Sequence, residues 1–310
     1  MDELFEELRP KAFAIAYRML GSVGEAEDVV QEALLRLYRK LDEGEEIETP
    51  EAYFVTTVTR LAIDELRSAR ARREVYTGEW LPEPILTAKD ADPARQAEIA
   101  DSLSVGLLVV LETLTPEERA VFLLREVFDY PHERIAEVLG KSHAAVRQLA
   151  VRARRHVGAR EPRFETSREQ PDRLAARFFE AFEQGDLEGL EAVLAADVTL
   201  HGDGGGKAPA LARPLQGRAR ISRTLLAFHR IGERFGGMTV RRVEFNGGPG
   251  ALAYDPDGRL INAITLEITA GQIQAVHSIV NPDKLGHLGP VADANELLAR
   301  ARANRTDPSR

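Results

Sequence analysis

The hydrophobic period of this chain changes along its length, and that change limits the folds open to it. From residue 2 to about residue 158, apolar residues recur three and four apart, as on the buried stripe of a helix. After Pro171, helical spacing over about 172–184 and 187–195 leads to a strand at 197–201 and a helix over about 217–234. Four alternating stretches follow, "MTVRRVEF", "GALAYD", "RLINAITLEI" and "QIQAVHSIV", with Asp257-Gly258 and Gly271 as turns. Helices followed by a strand meander predict a separate α+β domain behind an all-α region. The tail from about residue 293 reads as a helix that frays.

The all-α region carries its own punctuation. Val29, Val30, Ala33, Leu34 and Leu37 form one apolar stripe over 24–41. Thr49-Pro50 starts a third helix through "AYFVTTVTRLAIDELRSARARR". "TGEWLPEPILTAKDADPA", with three prolines and the only tryptophan, reads as a linker, and helical spacing resumes near Ile99. Thr115-Pro116-Glu117-Glu118 has the makings of a capping box. Beyond it, "ERIAEVLGKSHAAVRQLAVRARRHV" reads as helix, tight turn, helix, with Gly140 ending the first and Ser142 capping the second.

The 310 residues suffice for two or three domains. No run approaches the roughly 18 apolar residues of a membrane helix, and the acidic, amphipathic start "MDELFEEL" is unlike a signal peptide. The chain has no cysteine, which removes disulfides, thiol catalysis and cysteine-bound zinc. The histidines show no HExxH spacing, and neither a metal nor a cofactor is expected. These features predict a soluble cytoplasmic protein. The net charge of −9 is unevenly spread: residues 1–50 hold 6 basic and 13 acidic side chains, whereas 143–160 hold five arginines and no acid. Arg60, Arg67, Arg70, Arg72 and Arg73 form a second basic stretch. Such a distribution suits a protein that meets both nucleic acid and a basic protein surface.

In the helix-turn-helix, Ile135, Ala136, Leu139, Val146, Leu149 and Ala150 sort inward, leaving Arg147, Gln148, Arg152, Arg154 and Arg155 outside. Arginine pairs bidentately with guanine and glutamine with adenine, so Arg147 and Gln148 have base-reading chemistry, with the later arginines suited to phosphates. The bland alternative is a packed helical hairpin with solvated arginines. Tyr53 and Phe54 are either core aromatics or stacking platforms for unpaired bases. "HGDGGGKAPA" (201–210) is not a phosphate loop: Gly202 and Gly206 have three residues between them instead of four, and Ala208 follows Lys207.

Together these pieces resemble an extracytoplasmic-function (ECF) sigma factor of bacterial RNA polymerase. "AEDVVQEALLRLYRK" is similar to the helix that docks on the polymerase β′ clamp, which implies core contacts at Asp28, Gln31 and Glu32. "YFVTTVTRLAIDELRSARARR" is similar to the segment that opens and reads the −10 element, which implies contacts at Tyr53, Phe54, Arg60, Arg67 and Arg70. Arg60 stands where many members have Asn. "LTPEERAVFLLREVFDYPHERIAEVLGKSHAAVRQLAVRARR" resembles region 4, the −35 reader near the β flap, and implies contacts at Ser142, His143, Arg147, Gln148, Arg152, Arg154 and Arg155.

"WLPEP" (Trp80, Leu81, Pro82, Glu83, Pro84), "DGGGK" (Asp203, Gly204, Gly205, Gly206, Lys207) and "NPDKL" (Asn281, Pro282, Asp283, Lys284, Leu285) resemble the SigJ-like group. That group carries a C-terminal SnoaL-like α+β cone. The resemblance implies a multidomain fold with two all-α sigma domains at 1–76 and 99–159, linkers at 77–98 and 160–171, the cone at 172–288 and a tail at 289–310. It implies core RNA polymerase and promoter DNA as partners, no membrane, no separate anti-sigma factor, and regulation by the fused domain through the three motifs. A plain surface turn at 203–207 and a Trp80 tucked into its nearest domain are the simpler accounts. SnoaL-like cyclases use acid and base groups inside the cone, and His201, Asp203, Asn262 and His277 could approach such a cavity. Asn262 shares a strand face with Ile264 and Leu266, as a hydrogen-bonded core residue would. The chain is read as a non-enzyme, with a ligand-sensing or cyclase-like cone as the alternative.

Overall fold

The computed structural model describes residues 2–44, 47–87, 104–158 and 169–304, which group into two compact units. The first takes the described residues 2–75 and 107–158; the second takes 76–87, 104–106 and 169–304.

In the first unit, helices α1 (Asp2–Leu20), α2 (Val23–Asp42) and α3 (Pro50–Glu74) pack on one another. The expected α2 stripe is the reason: Val29, Val30, Ala33 and Leu37 are buried with Met19 and Leu20 of α1 and Phe54, Val58 and Leu66 of α3, while Leu34 is half-buried. Helix α4 (Val105–Leu111), of which this unit takes 107–111, leads to α5 (Pro116–Phe122), which opens on the expected capping box, with Thr115 Oγ1 accepting from Glu118 N and Glu118 Oε2 accepting from Thr115 N. A π-helical turn (Leu123–Val127) precedes α6 (His132–Leu139). Gly140 closes α6 in the left-handed conformation that glycine takes without strain, and Ser142 Oγ accepts from Ala145 N at the start of α7 (His143–Gly158).

In the second unit, α8 (Glu169–Gln184), α9 (Leu187–Val193) and α10 (Arg218–Phe235) accompany one mixed sheet. Its strands are β1 (Leu194–Asp203), β2 (Leu215–Gln216), β3 (Thr239–Phe245), β4 (Gly248–Tyr254), β5 (Leu260–Thr269) and β6 (Gln272–Ile279), in the order β2-β1-β6-β5-β4-β3. Among the described strands only the β1–β6 pairing is parallel. The strand read at 197–201 begins three residues earlier, through an irregularity between Leu194 and Thr199. One sheet face meets the helices: Leu200, Ile264, Leu266, Ile273 and Val276 share a core with Phe178, Phe179 and Phe182 of α8 and Ile221 and Leu225 of α10. The short α11 (Pro282–Leu285) follows β6. The helix expected in the tail forms as α12 (Ala294–Ala303), anchored because Leu297 and Ala301 bury against Phe235 of α10; residues 305–310, where fraying was expected, lie outside the described residues.

Candidate nucleic-acid interface and linker-docking site

Helix α7 sorts its residues by face. Val146, Leu149, Ala150, Ala153 and Val157 are buried, and Ser142, His143, Arg147, Gln148 and Arg155 are exposed. Arg147, Gln148 and Arg155 engage no hydrogen-bond or ion-pair partner among the described residues. Arg152 and Arg154 differ: Arg152 Nε donates to Glu118 Oε1 (2.9 Å), and Arg154 clamps Glu126 Oε1 with two donors (2.9 and 2.7 Å). The four described arginines of this basic set thus divide into an unengaged pair, Arg147 and Arg155, and an internally paired one, Arg152 and Arg154, while Arg160 lies outside the described residues.

Helix α3 presents less. Phe54 is 1% exposed and belongs to the three-helix core, so of its two sequence readings the structure supports the core aromatic. Tyr53 is half-buried, with Lys40 Nζ 5.7 Å from its ring centroid. Arg60 donates from Nε to Val138 O (2.8 Å) and from Nη2 to Glu137 O (3.2 Å), satisfying carbonyls at the end of α6. Arg67 pairs with Asp64 (2.9 Å) and Glu117 (2.6 Å). The side chains of Arg70, Arg72 and Arg73 lie outside the described residues. On α2, Asp28 and Gln31 are exposed, and Glu32 is half-buried and bonded to Arg36 (2.7 Å). Beside them Leu35 and Tyr38 are about half exposed, an apolar element of this face that the charge pattern did not reveal.

The three short motifs converge within the second unit. Asp203, at the end of β1, is fully buried. Its Oδ1 accepts from Tyr76 OH (2.6 Å) and Gly205 N (3.1 Å), and its Oδ2 accepts from Leu81 N (2.8 Å) and Lys284 Nζ (2.6 Å). Lys284 also donates to Leu81 O and lies 3.9 Å from the Trp80 ring centroid. A buried carboxylate and ammonium are tolerated when each has its full set of partners. Asn281 donates to Tyr76 OH (2.8 Å) and caps α11 by accepting from Asp283 N. Burial raises the Tyr76 phenol above its usual range, and Asp203 adds to the rise. Leu81, Pro82, Glu83 and Pro84 are buried, and His287 Nε2 meets Pro84 O at 3.0 Å. Ile85 and Asn246 exchange two hydrogen bonds, and Leu86 pairs antiparallel with Phe245 on the edge strand β3.

The glycine stretch owes its composition to close approach. A Cβ on Gly204 would lie 2.2 Å from Ala208 O, and one on Gly205, where φ is +60°, would lie 2.4 Å from the Asn281 amide nitrogen. Lys207 reaches Asp283 (2.6 Å) in the open. The 203–207 segment is therefore a packed turn against "NPDKL", and Trp80 is tucked into the second unit.

The residues weighed for cyclase chemistry do not meet in one cavity. His201, Asp203 and His277 lie on the sheet face opposite the helices, whereas Asn262 shares the helix-covered face and donates to Ser278 Oγ (3.0 Å). Two carboxylate–histidine pairs do form. His201 Nδ1 meets Glu79 Oε1 at 2.8 Å, and His277 Nε2 stands 3.5 Å from Glu267 Oε1, with the two imidazoles stacked at 5.0 Å. Burial, aided by His201, pulls His277 down to about 3, and burial raises Glu267 while His201 opposes the rise. His277 is 1% exposed, so it is closed to a substrate. Tyr76, Glu79, Asn246 and His287 were not singled out from sequence, since nothing local marks partners that lie more than 120 residues away.

An α-helical pair of modules with a free recognition-type helix, followed by an α+β cone, defines a multidomain transcription-factor architecture. Residues 4–72 match Sigma-70 region 2, residues 104–157 match Sigma-70 region 4, and residues 175–280 match the SnoaL-like domain. The ECF RNA polymerase sigma factor SigJ of Mycobacterium tuberculosis is 40% identical over 291 residues, covering 90% of this chain and 91% of SigJ. The probable ECF sigma factor SigI of the same organism is 33% identical, covering 88% and 91%. The crystal structure of Mycobacterium tuberculosis SigJ superposes with a TM-score of 0.74 at 34% identity, covering 94% of this chain and all of that one. The chain belongs to the ECF sigma factors, in the form that carries a C-terminal SnoaL-like domain.

Proposed function

We propose that the protein is a transcription initiation factor that binds core RNA polymerase, directs it to particular promoters and performs no bond chemistry itself. The observation that carries this is α7: its base-facing positions Arg147 and Gln148 are exposed and unengaged, in a segment matching region 4. They would read the −35 element, with Ser142, His143 and Arg155 beside them. Arg152 and Arg154 would reach phosphates by exchanging Glu118 and Glu126 for DNA. The α3 face at Tyr53, Arg60, Arg67 and Arg70 would serve the −10 element, which asks Arg60 and Arg67 to leave their present partners. Asp28, Gln31 and Glu32, with Leu35 and Tyr38, would contact the β′ clamp, and region 4 would contact the β flap.

The fused domain would act in cis. It grips the linker through Asp203, Lys284 and Asn281, which supports regulation without a separate anti-sigma protein. A cytoplasmic location follows from the polymerase it would serve. No helix among the described residues is long and apolar enough to cross a membrane.

Run-off transcription with core polymerase on a promoter library tests the reading. Arg147→Ala is expected to cost about 1–3 kcal/mol at one upstream base position and to relax specificity there. Wild-type selectivity in that variant would refute the assignment of α7.

A further inference from the structure

A second basic region lies outside the sigma modules. Residues 204–243 hold nine lysines and arginines against one acid, Glu233, in a chain whose remainder is strongly acidic. Part of this charge is engaged: Lys207 pairs with Asp283, Arg242 with Glu183, and Arg241 lies over the Tyr254 ring. Helix α10 is different. Arg220, Arg223, Arg230 and Arg234 are exposed and form no ion pair among the described residues; Arg223 Nε donates only to Ala219 O of its own helix. At about 100° and 1.5 Å per residue, these four positions fall within an arc of about 80° and extend over about 21 Å. Arg220 and Arg223 flank an open recess of about 340 Å³, lined also by Thr224 and Ala227.

From this stripe we infer a third nucleic-acid contact: α10 binds the phosphate backbone of duplex DNA, without reading bases. The inference rests on the proposed initiation function, which brings the chain to DNA. Three considerations select this partner. Guanidinium forks match phosphate oxygens bidentately. A row of positive charge about 21 Å long without ion-pair partners among the described residues, on one helix, suits the regular charge of a duplex and gains from counterion release. A lipid surface fits worse, because the apolar face of α10 that would have to insert is already buried through Ile221, Leu225 and Leu226. Covalent linkage to two DNA-reading modules would also hold the stripe at high local phosphate concentration.

The test is a salt titration of the full chain on a fluorescent duplex that lacks any promoter sequence, read by anisotropy. The comparison is between wild type, a variant with Arg220, Arg223, Arg230 and Arg234 all changed to Ala, and one with all four changed to Lys. Each phosphate contact contributes about 0.9 to the slope of log affinity against log salt, so the Ala variant is expected to flatten it by about 3 to 4. Between 50 and 200 mM salt, wild type should then lose on the order of a hundredfold more affinity than the Ala variant. The Lys variant should keep the wild-type slope. An unchanged slope in the Ala variant, or no binding by wild type, overturns the inference. So does an unchanged slope accompanied by lost binding to phosphatidylserine vesicles, which would assign the stripe to lipid. If circular dichroism shows the Ala variant unfolded, the four single Ala substitutions serve instead, each expected to remove about 0.9. Run-off transcription by wild type is scored separately. Its absence would sink the initiation reading, whereas an unchanged slope with normal run-off sinks only the α10 contact.

Discussion

Lys284 and Lys207 both reach an aspartate at 2.6 Å, and little else about them is alike. Lys284 and Asp203 are 6% and 0% exposed, and the pair is completed by Tyr76, Leu81 and the Trp80 ring. Lys207 and Asp283 are 58% and 61% exposed. The same contact distance therefore describes a charge that has nowhere else to go and a charge that water would serve equally well. Burial and the number of partners, rather than separation, decide which of the two holds residues 76–87 in place.

Removing one side of the buried pair is the strongest way to break the comparison. Lys284→Met leaves the Asp203 carboxylate without its cation and should destabilise the second unit by about 3–5 kcal/mol, read by urea unfolding with Trp80 emission as the probe. A cost under 1 kcal/mol would place the two lysines in one class.

The histidines beneath the linker come next. His277 resists protonation until about pH 3, whereas an unfolded chain takes up that proton near 6.5, so stability should fall as pH drops through that window. The slope is about 1.4 kcal/mol per pH unit, and His277→Gln should lack it. Glu267 acts in the opposite sense: its raised value contributes stability at low pH that is lost as pH rises above about 4.5. Glu267→Gln should therefore steepen the wild-type dependence just above that point. Identical unfolding–pH curves for both variants and wild type would show that this buried cluster does not titrate with folding.

Trp80→Leu removes the ring beneath the Lys284 ammonium while leaving the ion pair, and should cost about 1–2 kcal/mol. Tyrosine-based unfolding or calorimetry must replace tryptophan emission there. The smallest effect is expected for Lys207→Ala, at most about 1 kcal/mol and vanishing in high salt. A loss that persists at 1 M salt would mean the exposed pair shares the buried one's role.

Local signals made the all-α region legible: the Thr115 capping box, the Gly140 stop and the Ser142 cap each depend on neighbours within four residues. The alternation over β3 to β6 was equally plain. The linker was not, because its proline run looks like a spacer until Asp203, Lys284 and Asn246 appear far along the chain. The glycines of "DGGGK" were conspicuous, but the reasons for them, Ala208 O and the Asn281 amide, are set by the fold. Arg60 and Arg67 looked like free cations for the same reason, since Val138 O and Glu117 cannot be seen from α3. The α10 stripe was written in the composition of 204–243 and was obscured by the chain's acidic average.

The parallel pairing of β1 with β6 gives the docking site a history as well as a shape. Asp203 and Asn281 meet because adjacent parallel strands end on the same side, and Lys284 grips a linker residue synthesised 203 positions earlier. On a ribosome adding roughly 5–20 residues per second, α7 is complete roughly 6–25 s before Lys284 is made. Every newborn copy thus passes through an interval in which its helical modules exist and Leu81 still lacks its Lys284 partner, and the synthesis of α11 ends that interval.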